Sequence, residues 1–428
     1  MPAPRHVLAA AIAFAVTLPA AAFGQSASCS TTGQNLFVRD ALEELYLWYR
    51  ELPPVDAAAY DSPEAYLDAV RYRPRDTSFS YITSRAASDA FYSESQYIGF
   101  GLSTSTATGE LRVLQVFDDS PATEAGLARG ARITAVGGVA ADTLIADGTV
   151  DQAFGAASEG VEIAIAFETR DGAARTATMR KRPVTIPTVS LTRVFDVDGR
   201  RVGYVFFRNF VRPSTAALDA AFASLAEAGV TELVLDLRYN GGGLVDVAVH
   251  LASLIGGSAT ANQVFAEYRH NDRNRRRDET LRFAAPAHAL GLSRVVVIAS
   301  RASASASELV INGLRPFVAV TVVGDRTYGK PVGQYVLPFC DRVLAPVAFS
   351  MVNANGQGDY FDGLAAECPA GDDIGRDLGD AAEASLAEAL VVVRTGTCSP
   401  RATALGGRAR PALAAAPAAG WASLLNAR

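Results

Sequence analysis

Residues 295–334 read VVVIASRASASASELVINGLRPFVAVTVVGDRTYGKPVGQ, and the rest of the predicted core is arranged around them. Two short apolar segments, 295–299 and 318–323, flank a segment with helical spacing at about 306–314. Apolar segments of this length next to a helix are typical of buried strands in a layered α/β core. The stretch therefore predicts a strand, a turn of small residues, a helix, a second strand and a glycine-containing loop that ends at Gly329-Lys330.

Ser305 lies where the predicted helix begins. The N–H groups of a first helical turn have no partner within the helix, so they can stabilise negative charge on a nearby oxygen. A serine at this position is therefore a candidate nucleophile. Ser305 and Glu308 also match the capping box S-x-x-E, so the local pattern fits a purely structural N-cap as well.

Lysine is rare in this chain. It occurs only at Lys181 and Lys330, and every other basic residue among the 39 lysines and arginines is an arginine. Arginine stays charged in proteins, whereas a desolvated lysine can lose its proton near neutral pH and act as a base. Lys181 stands between Arg180 and Arg182, where we expect a solvated basic run, so Lys330 is the candidate base.

Two segments together indicate a family. The sequences SASASE at 303–308 and VVGDRTYGK at 322–330 resemble the tail-specific, or carboxyl-terminal processing, serine peptidases of peptidase family S41. The resemblance implies that Ser305 is the nucleophile, that Lys330 is its base, and that Gln334, four residues later, assists the lysine. It covers about residues 95–395 and implies a mixed α/β, multidomain chain with a layered core of the crotonase-like type.

A glycine turn follows another predicted strand at 233–237. The run DLRYNGGG at 236–243 resembles the family's Asn-Pro-Gly-Gly segment, with Gly241 in place of the usual proline. The resemblance implies an oxyanion hole made by the N–H of Gly242 or Gly243 and the N–H of Ala306. A phosphate-binding loop is disfavoured, because Pro331 follows Gly329-Lys330 where such a loop needs serine or threonine.

A second glycine-rich region lies upstream. Gly99, Phe100, Gly101 and Leu102 precede SPATEAGLARGARI at 120–133, and together these segments resemble a PDZ domain at about 95–183. In such a domain the loop's N–H groups bind a peptide's terminal carboxylate while the peptide adds as an extra strand. An ordinary glycine-rich hairpin fits GFGL alone equally well.

The remaining organisation follows from composition. The 428 residues are 49% hydrophobic with a net charge of −6, which allows several domains and disfavours a nucleic-acid partner. We expect a signal peptide at 1–24, a helical N-terminal domain at 25–94, a PDZ-like domain at 95–183, a peptidase core at 184–399 and a low-complexity tail at 400–428. These features predict export, to the periplasm rather than to the medium or to a lipid anchor at Cys29, and no transmembrane segment after signal removal.

Four cysteines are present: Cys29, Cys340, Cys368 and Cys398. An even count in an exported protein favours disulfides, and four cysteines allow three pairings. We expect Cys340–Cys368 and Cys29–Cys398. No spacing typical of a metal site occurs, so we expect neither a metal nor another cofactor.

Two functions remain open at this stage. The first is a Ser-Lys serine endopeptidase that acts on exported proteins near their C-termini. A Ser-His-Asp enzyme is disfavoured, because no G-x-S-x-G elbow accompanies His250, His270 or His288. The alternative is a non-catalytic binding or carrier protein of the same fold, in which the PDZ-like region recruits C-termini without cleavage.

Overall fold

The computed structural model describes residues 28–400 and Ala402. The predicted signal peptide and almost all of the predicted tail lie outside these residues. The described chain is a mixed α/β structure, as expected. It forms an N-terminal unit, a β-rich unit and a layered core.

The N-terminal unit contains three α-helices, two short 3-10 helices (Tyr49–Glu51 and Ala57–Ala59) and one strand. In chain order the α-helices and the strand are α1 (Thr31–Leu45), α2 (Pro63–Val70), β1 (Tyr81–Ser84) and α3 (Arg85–Glu94). Ser62 caps α2 by accepting from the N–H of Ala65 at 3.1 Å, and Pro63 suits the first turn, where no N–H partner is required. The strand β1 pairs with core residues 342–345. The unit is therefore not purely helical, since it extends a sheet of the core.

The β-rich unit spans residues 96–185 and has its own hydrophobic cluster around Phe100, Ile133 and Phe167. Its elements are β2 (Gln96–Gly99), β3 (Leu102–Ser105), β4 (Leu111–Val116), α4 (Pro121–Glu124), β5 (Arg132–Val136), β6 (Val139–Ala140), α5 (Ala141–Ala146), α6 (Val150–Ala153), β7 (Glu162–Glu168), β8 (Ala174–Arg180) and β9 (Arg182–Thr185). The strand order is β3-β4-β5-β7-β8, which leaves β3 at an edge of the sheet.

Lys181, between β8 and β9, corrects an expectation. Its side chain is buried, and its Nζ donates to the carbonyls of Gly155 at 2.8 Å and Ala156 at 2.7 Å. The prediction of a solvated run is therefore wrong for this residue. Successive side chains of extended backbone point to opposite faces, so Lys181 turns inward while Arg180 and Arg182 turn outward.

The core follows in the chain order β10 (Val189–Val197), β11 (Arg200–Phe207), α7 (Ser214–Glu227), β12 (Glu232–Asp236), α8 (Val245–Gly256), β13 (Val264–His270), β14 (Thr280–Arg282), β15 (Arg294–Ala299), α9 (Ala306–Leu314), β16 (Ala319–Gly324), β17 (Val332–Gln334), β18 (Leu337–Phe339), β19 (Arg342–Ala345), β20 (Val347–Val352), β21 (Cys368–Pro369) and α10 (Ala384–Thr395). Its main sheet has the order β10-β11-β12-β15-β16-β21. Within this sheet the five strands β11, β12, β15, β16 and β21 run parallel to one another.

This topology brings the two predicted functional turns together. The strands β12 and β15 are parallel neighbours, with Asp236 opposite Ile298. The carboxyl ends of parallel strands meet at one edge of a sheet, so the glycine turn after β12 lies beside the serine turn after β15. The Asn240 carbonyl joins them, since it accepts from Ala304 N–H at 3.1 Å and from Ser307 Oγ at 2.9 Å.

All four cysteines form disulfides, but in the pairs Cys29–Cys340 and Cys368–Cys398. The predicted pairing, Cys340–Cys368 and Cys29–Cys398, is therefore wrong. The N-terminal unit extends the sheet that contains β19, which brings Cys29 to the turn before that strand. Cys368 instead lies in the edge strand β21, and α10, which ends before Cys398, packs against the same sheet.

Candidate active site

Ser305 occupies a strained turn directly before α9. Its backbone has φ 55° and ψ −115°, a region that a residue with a side chain adopts only when the surrounding structure enforces it. The residue is partly exposed, whereas Ala306 and the rest of the first turn are buried. The fold therefore presents the Ser305 side chain at a helix N-terminus, and this strain is a sign of function that the sequence pattern did not give.

Gly242 is packed against this turn. A Cβ on Gly242 would lie 2.8 Å from the Ser305 Cβ and 2.9 Å from the Ala306 nitrogen, so a larger residue does not fit without displacement. The N–H of Gly242 already donates to Asn240 Oδ1 at 2.9 Å. Within the described part of the chain, the N–H groups of Gly243 and Ala306 form no hydrogen bond, so both are available to another acceptor.

Lys330 is almost completely buried, with 4% of its surface exposed. Its Nζ donates to Gln334 Oε1 at 2.6 Å, and the Phe79 ring centre lies 5.9 Å from it. Burial lowers the pKa of Lys330 to about 8, although the nearby carboxylates of Asp76 and Glu308 oppose the shift. An amine with this pKa is partly uncharged near neutral pH, as a general base requires.

Glu308 connects the serine turn to the lysine loop. Its carboxylate is fully buried, and Oε2 accepts from the N–H of Ser305 at 2.9 Å and from the N–H of Lys330 at 2.8 Å. Because one oxygen binds both amides, the two backbones are direct neighbours. Among the described residues, Lys330 Nζ hydrogen-bonds Gln334 and not Ser305 Oγ.

The other oxygen of Glu308 holds the lysine loop itself. Oε1 accepts from Thr327 Oγ1 at 2.6 Å and from Gly329 N–H at 2.7 Å. Burial raises the pKa of Glu308, while these four donors favour its ionised form. The capping box identified Glu308 from the sequence, but only as a partner of Ser305.

Gln334 is held in one orientation. Its Nε2 donates to the carbonyls of Phe79 and of Ala345, so its Oε1 faces Lys330. Phe79 belongs to the N-terminal unit, in which the sequence showed no evident chemistry. The N-terminal unit therefore forms part of the wall of this site.

A buried ionic network supports the glycine turn. The Arg238 guanidinium binds Asp236 at 2.8 Å, Glu383 at 2.9 Å and Asp372 at 3.1 Å. Arg129 of the β-rich unit reaches the same Asp372 at 2.6 Å. The D-L-R motif predicted the turn. The carboxylates of Asp372 and Glu383 are distant from Arg238 in the sequence, so only the fold brings them to it.

The predicted carboxylate-binding loop lies beside a buried tyrosine. Phe100 and Leu102 are buried. Burial raises the pKa of Tyr97, while the Arg208 guanidinium and the backbone amides of Gly101 and Leu102 act against that rise. A carboxylate bound by these amides would therefore lie close to the Tyr97 hydroxyl.

Two of the three histidines considered above have partners away from Ser305. His250 contacts Asp219 at 2.7 Å, and His270 lies between Asp278 at 2.9 Å and Tyr335 at 2.7 Å.

The described residues include no helix long and apolar enough to cross a bilayer.

Comparisons with known proteins point to one family. A profile of peptidase family S41 matches residues 201–364, and a profile of the peptidase S41 N-terminal domain matches residues 33–81. The chain is 29% identical over 238 residues to the chloroplastic C-terminal processing peptidase of Tetradesmus obliquus, covering 54% of this chain and 50% of that protein. It is 26% identical over 244 residues to the carboxyl-terminal-processing protease of Synechocystis sp., covering 57% of this chain and 55% of that protein.

The alignments with these two relatives thus span about half of each relative's length. Among solved structures, a putative S41 protease from Bacteroides fragilis superposes with a TM-score of 0.67 at 25% identity, covering 83% of this chain and 96% of that one. Two profiles of one family, on the core and on the N-terminal unit, and a structural match across both show that the chain belongs to peptidase family S41.

Proposed function

We propose that this chain is a serine endopeptidase that hydrolyses peptide bonds near the C-termini of exported proteins through a Ser305–Lys330 dyad. The observation that carries the proposal is the buried Lys330 amine, with its pKa lowered to about 8, on a loop that Glu308 ties to the strained Ser305 turn. A carrier protein needs neither a depressed lysine pKa nor a strained serine.

The first step is proton transfer from serine to lysine. Gln334 Oε1 receives one hydrogen of the Lys330 amine, which leaves the nitrogen lone pair of the neutral form for Ser305 Oγ. The two side chains approach when substrate binds, because contacts of this kind often tighten only in the substrate complex. Ser305 Oγ then attacks the scissile carbonyl carbon.

The oxyanion that forms is stabilised by amides at the helix start. The N–H groups of Ala306 and Gly243 are the donors available, while Gly242 keeps the two turns close. Each such donor contributes roughly 10²–10³ in rate. Protonated Lys330 then gives its proton to the leaving amine, and water hydrolyses the acyl-enzyme with Lys330 again acting as base.

Substrate capture is assigned to the β-rich unit as a PDZ-like domain. The strand β3 lies at a sheet edge, where a peptide strand can add. The loop of Gly99, Phe100, Gly101 and Leu102 would receive the terminal carboxylate. A free-acid peptide should therefore bind more tightly than its C-terminal amide, and equal affinity would contradict this role.

Two disulfides suit an oxidising compartment, so we place the enzyme outside the cytoplasm and, by preference, in the periplasm. A reducing compartment would leave these cysteines as thiols. Alkylation of the protein freshly isolated from cells, before and after reduction, distinguishes the two states.

The decisive experiment is mass-spectrometric mapping of new termini after incubation with unfolded proteins. Wild type should generate new termini near substrate C-termini, and Ser305→Ala should generate none. Lys330→Arg should be nearly inactive although it keeps the positive charge, because arginine cannot act as the base. Peptide binding without any new termini would instead support the carrier alternative.

A further inference from the structure

The loop at residues 76–80 of the N-terminal unit contacts the proposed catalytic residues from outside the core. We propose that Asp76 is a positioning residue, which folds this loop so that it holds Gln334 towards Lys330 and places a negative charge beside the Lys330 amine. The inference rests on the Ser-Lys dyad proposed above and extends it to a part of the chain that showed no chemistry in its sequence.

Asp76 organises the loop through four hydrogen bonds. It is fully buried, and its Oδ1 accepts from the N–H of Phe79 at 2.8 Å and of Ser80 at 3.0 Å. Its Oδ2 accepts from Ser80 Oγ at 2.6 Å and from Tyr46 OH at 2.8 Å. A buried carboxylate with this many donors fixes the backbone around it, because each lost partner would leave a polar group unsatisfied.

The fixed backbone presents one carbonyl to the catalytic side. The Phe79 carbonyl accepts from Gln334 Nε2, and the Ala345 carbonyl accepts from the same nitrogen at 3.0 Å. Both hydrogens of the Gln334 amide group are thereby used. The amide cannot turn over without losing both bonds, so Oε1 stays on the Lys330 side.

The loop also faces the lysine directly. Two carboxylates act on Lys330, Asp76 from this loop and Glu308 from α9, and both raise its pKa against the larger effect of burial. The Phe79 ring of the same loop lies near the amine, with its centre 5.9 Å from Lys330 Nζ. Removing the charge of Asp76 should therefore lower the pKa of Lys330 further, which a purely structural residue would not do.

The chain offers a direct readout of this effect. Lysine occurs only at positions 181 and 330, so protein labelled with ¹³C-lysine gives two ε-methylene signals, which a Lys181→Arg variant assigns. Following the Lys330 signal against pH in Ser305→Ala protein measures the amine without any need for activity. The acid limb of kcat/KM in protein with Ser305 intact gives a second, independent reading.

Asp76→Asn should move the Lys330 midpoint and the acid limb downward, by an amount on the order of one pH unit, and should lower kcat. Tyr46→Phe is the matched control, since it removes one hydrogen bond to Asp76 but no charge. It should leave the midpoint unchanged. An unshifted midpoint in Asp76→Asn would overturn the proposal.

A second neutral variant guards against misfolding. In Asp76→Ser the hydroxyl can still accept a hydrogen bond from Phe79 or Ser80 N–H, and the same downward shift is expected. Loss of folding in both variants would reassign Asp76 to folding alone and overturn the positioning role. Failure of the dyad itself would show differently, as retained activity in Ser305→Ala while the Lys330 midpoint still responds to Asp76.

Discussion

Replacing Glu308 by glutamine should separate the two halves of the site. The carboxylate accepts four hydrogen bonds: Ser305 N–H and Lys330 N–H on one oxygen, and Gly329 N–H and Thr327 Oγ1 on the other. A glutamine side chain has one acceptor oxygen and one NH₂ group. Whichever way the amide points, its NH₂ faces two groups that donate in the wild type.

The magnitude follows from the better of the two orientations. With the amide oxygen towards Ser305 and Lys330, the NH₂ faces Gly329 N–H, which loses its acceptor, at a cost of about 1–3 kcal/mol. The hydrogen bonds that remain are weaker, because their acceptor is no longer charged. Part of this loss is offset, because glutamine does not carry the desolvation cost of the buried Glu308 carboxylate, the same cost that raises its pKa. We expect a net loss of about 2–4 kcal/mol in the free energy of unfolding.

Activity should fall further than stability alone implies. A displacement of about 1 Å between reacting groups can cost on the order of 10²-fold in rate, so kcat should drop by at least about that factor. Urea unfolding followed by circular dichroism, in a Ser305→Ala background to prevent self-cleavage, gives the stability change, and peptide turnover gives kcat. Glu308→Gln protein that loses less than about 1 kcal/mol and keeps its kcat would refute this reasoning.

A matched control is available on α10. Glu388 is also buried but, among the described residues, accepts one hydrogen bond, from Ser399 N–H, and none from the serine turn or the lysine loop. Glu388→Gln should leave kcat unchanged. A comparable loss of kcat in this control would show that any buried charge removal damages the enzyme.

Three further predictions concern pH, the oxyanion turn and the disulfides. Because the Lys330 ammonium must lose its proton to act as a base, kcat/KM should rise with pH to a plateau, with its midpoint near pH 8. At pH 7 it should be about a tenth of the plateau value, and a midpoint near 6 would indicate that a histidine is the base instead. Gly242→Ala places a methyl group 2.8 Å from the Ser305 Cβ, so kcat should fall by roughly 10²–10³ with a small change in KM, and steady-state kinetics matching wild type would contradict the packing. Replacing Cys29 and Cys340 together by serine opens a link between residues 311 positions apart and should cost about 2–4 kcal/mol in urea unfolding, whereas an unchanged midpoint would show that the link contributes nothing.

The sequence by its local patterns predicted the secondary structure of the core and two candidate reactive residues. The apolar segments at 295–299 and 318–323 became strands, and the segment at 306–314 became α9. Such elements follow from side-chain periodicity and capping within a few residues, which a single sequence displays. Ser305 and Lys330 stood out as candidates by residue type and position, whereas Gln334 and the roles proposed for all three came from the family resemblance.

Tertiary structure alone decided which distant groups meet. Glu308 binds the lysine loop, and the Phe79 carbonyl holds Gln334, although no spacing in the sequence relates these residues. The disulfide pairing was mispredicted for the same reason. Contacts of this kind depend on how sheets and units pack against one another, and packing is settled by the burial of whole faces rather than by any local pattern.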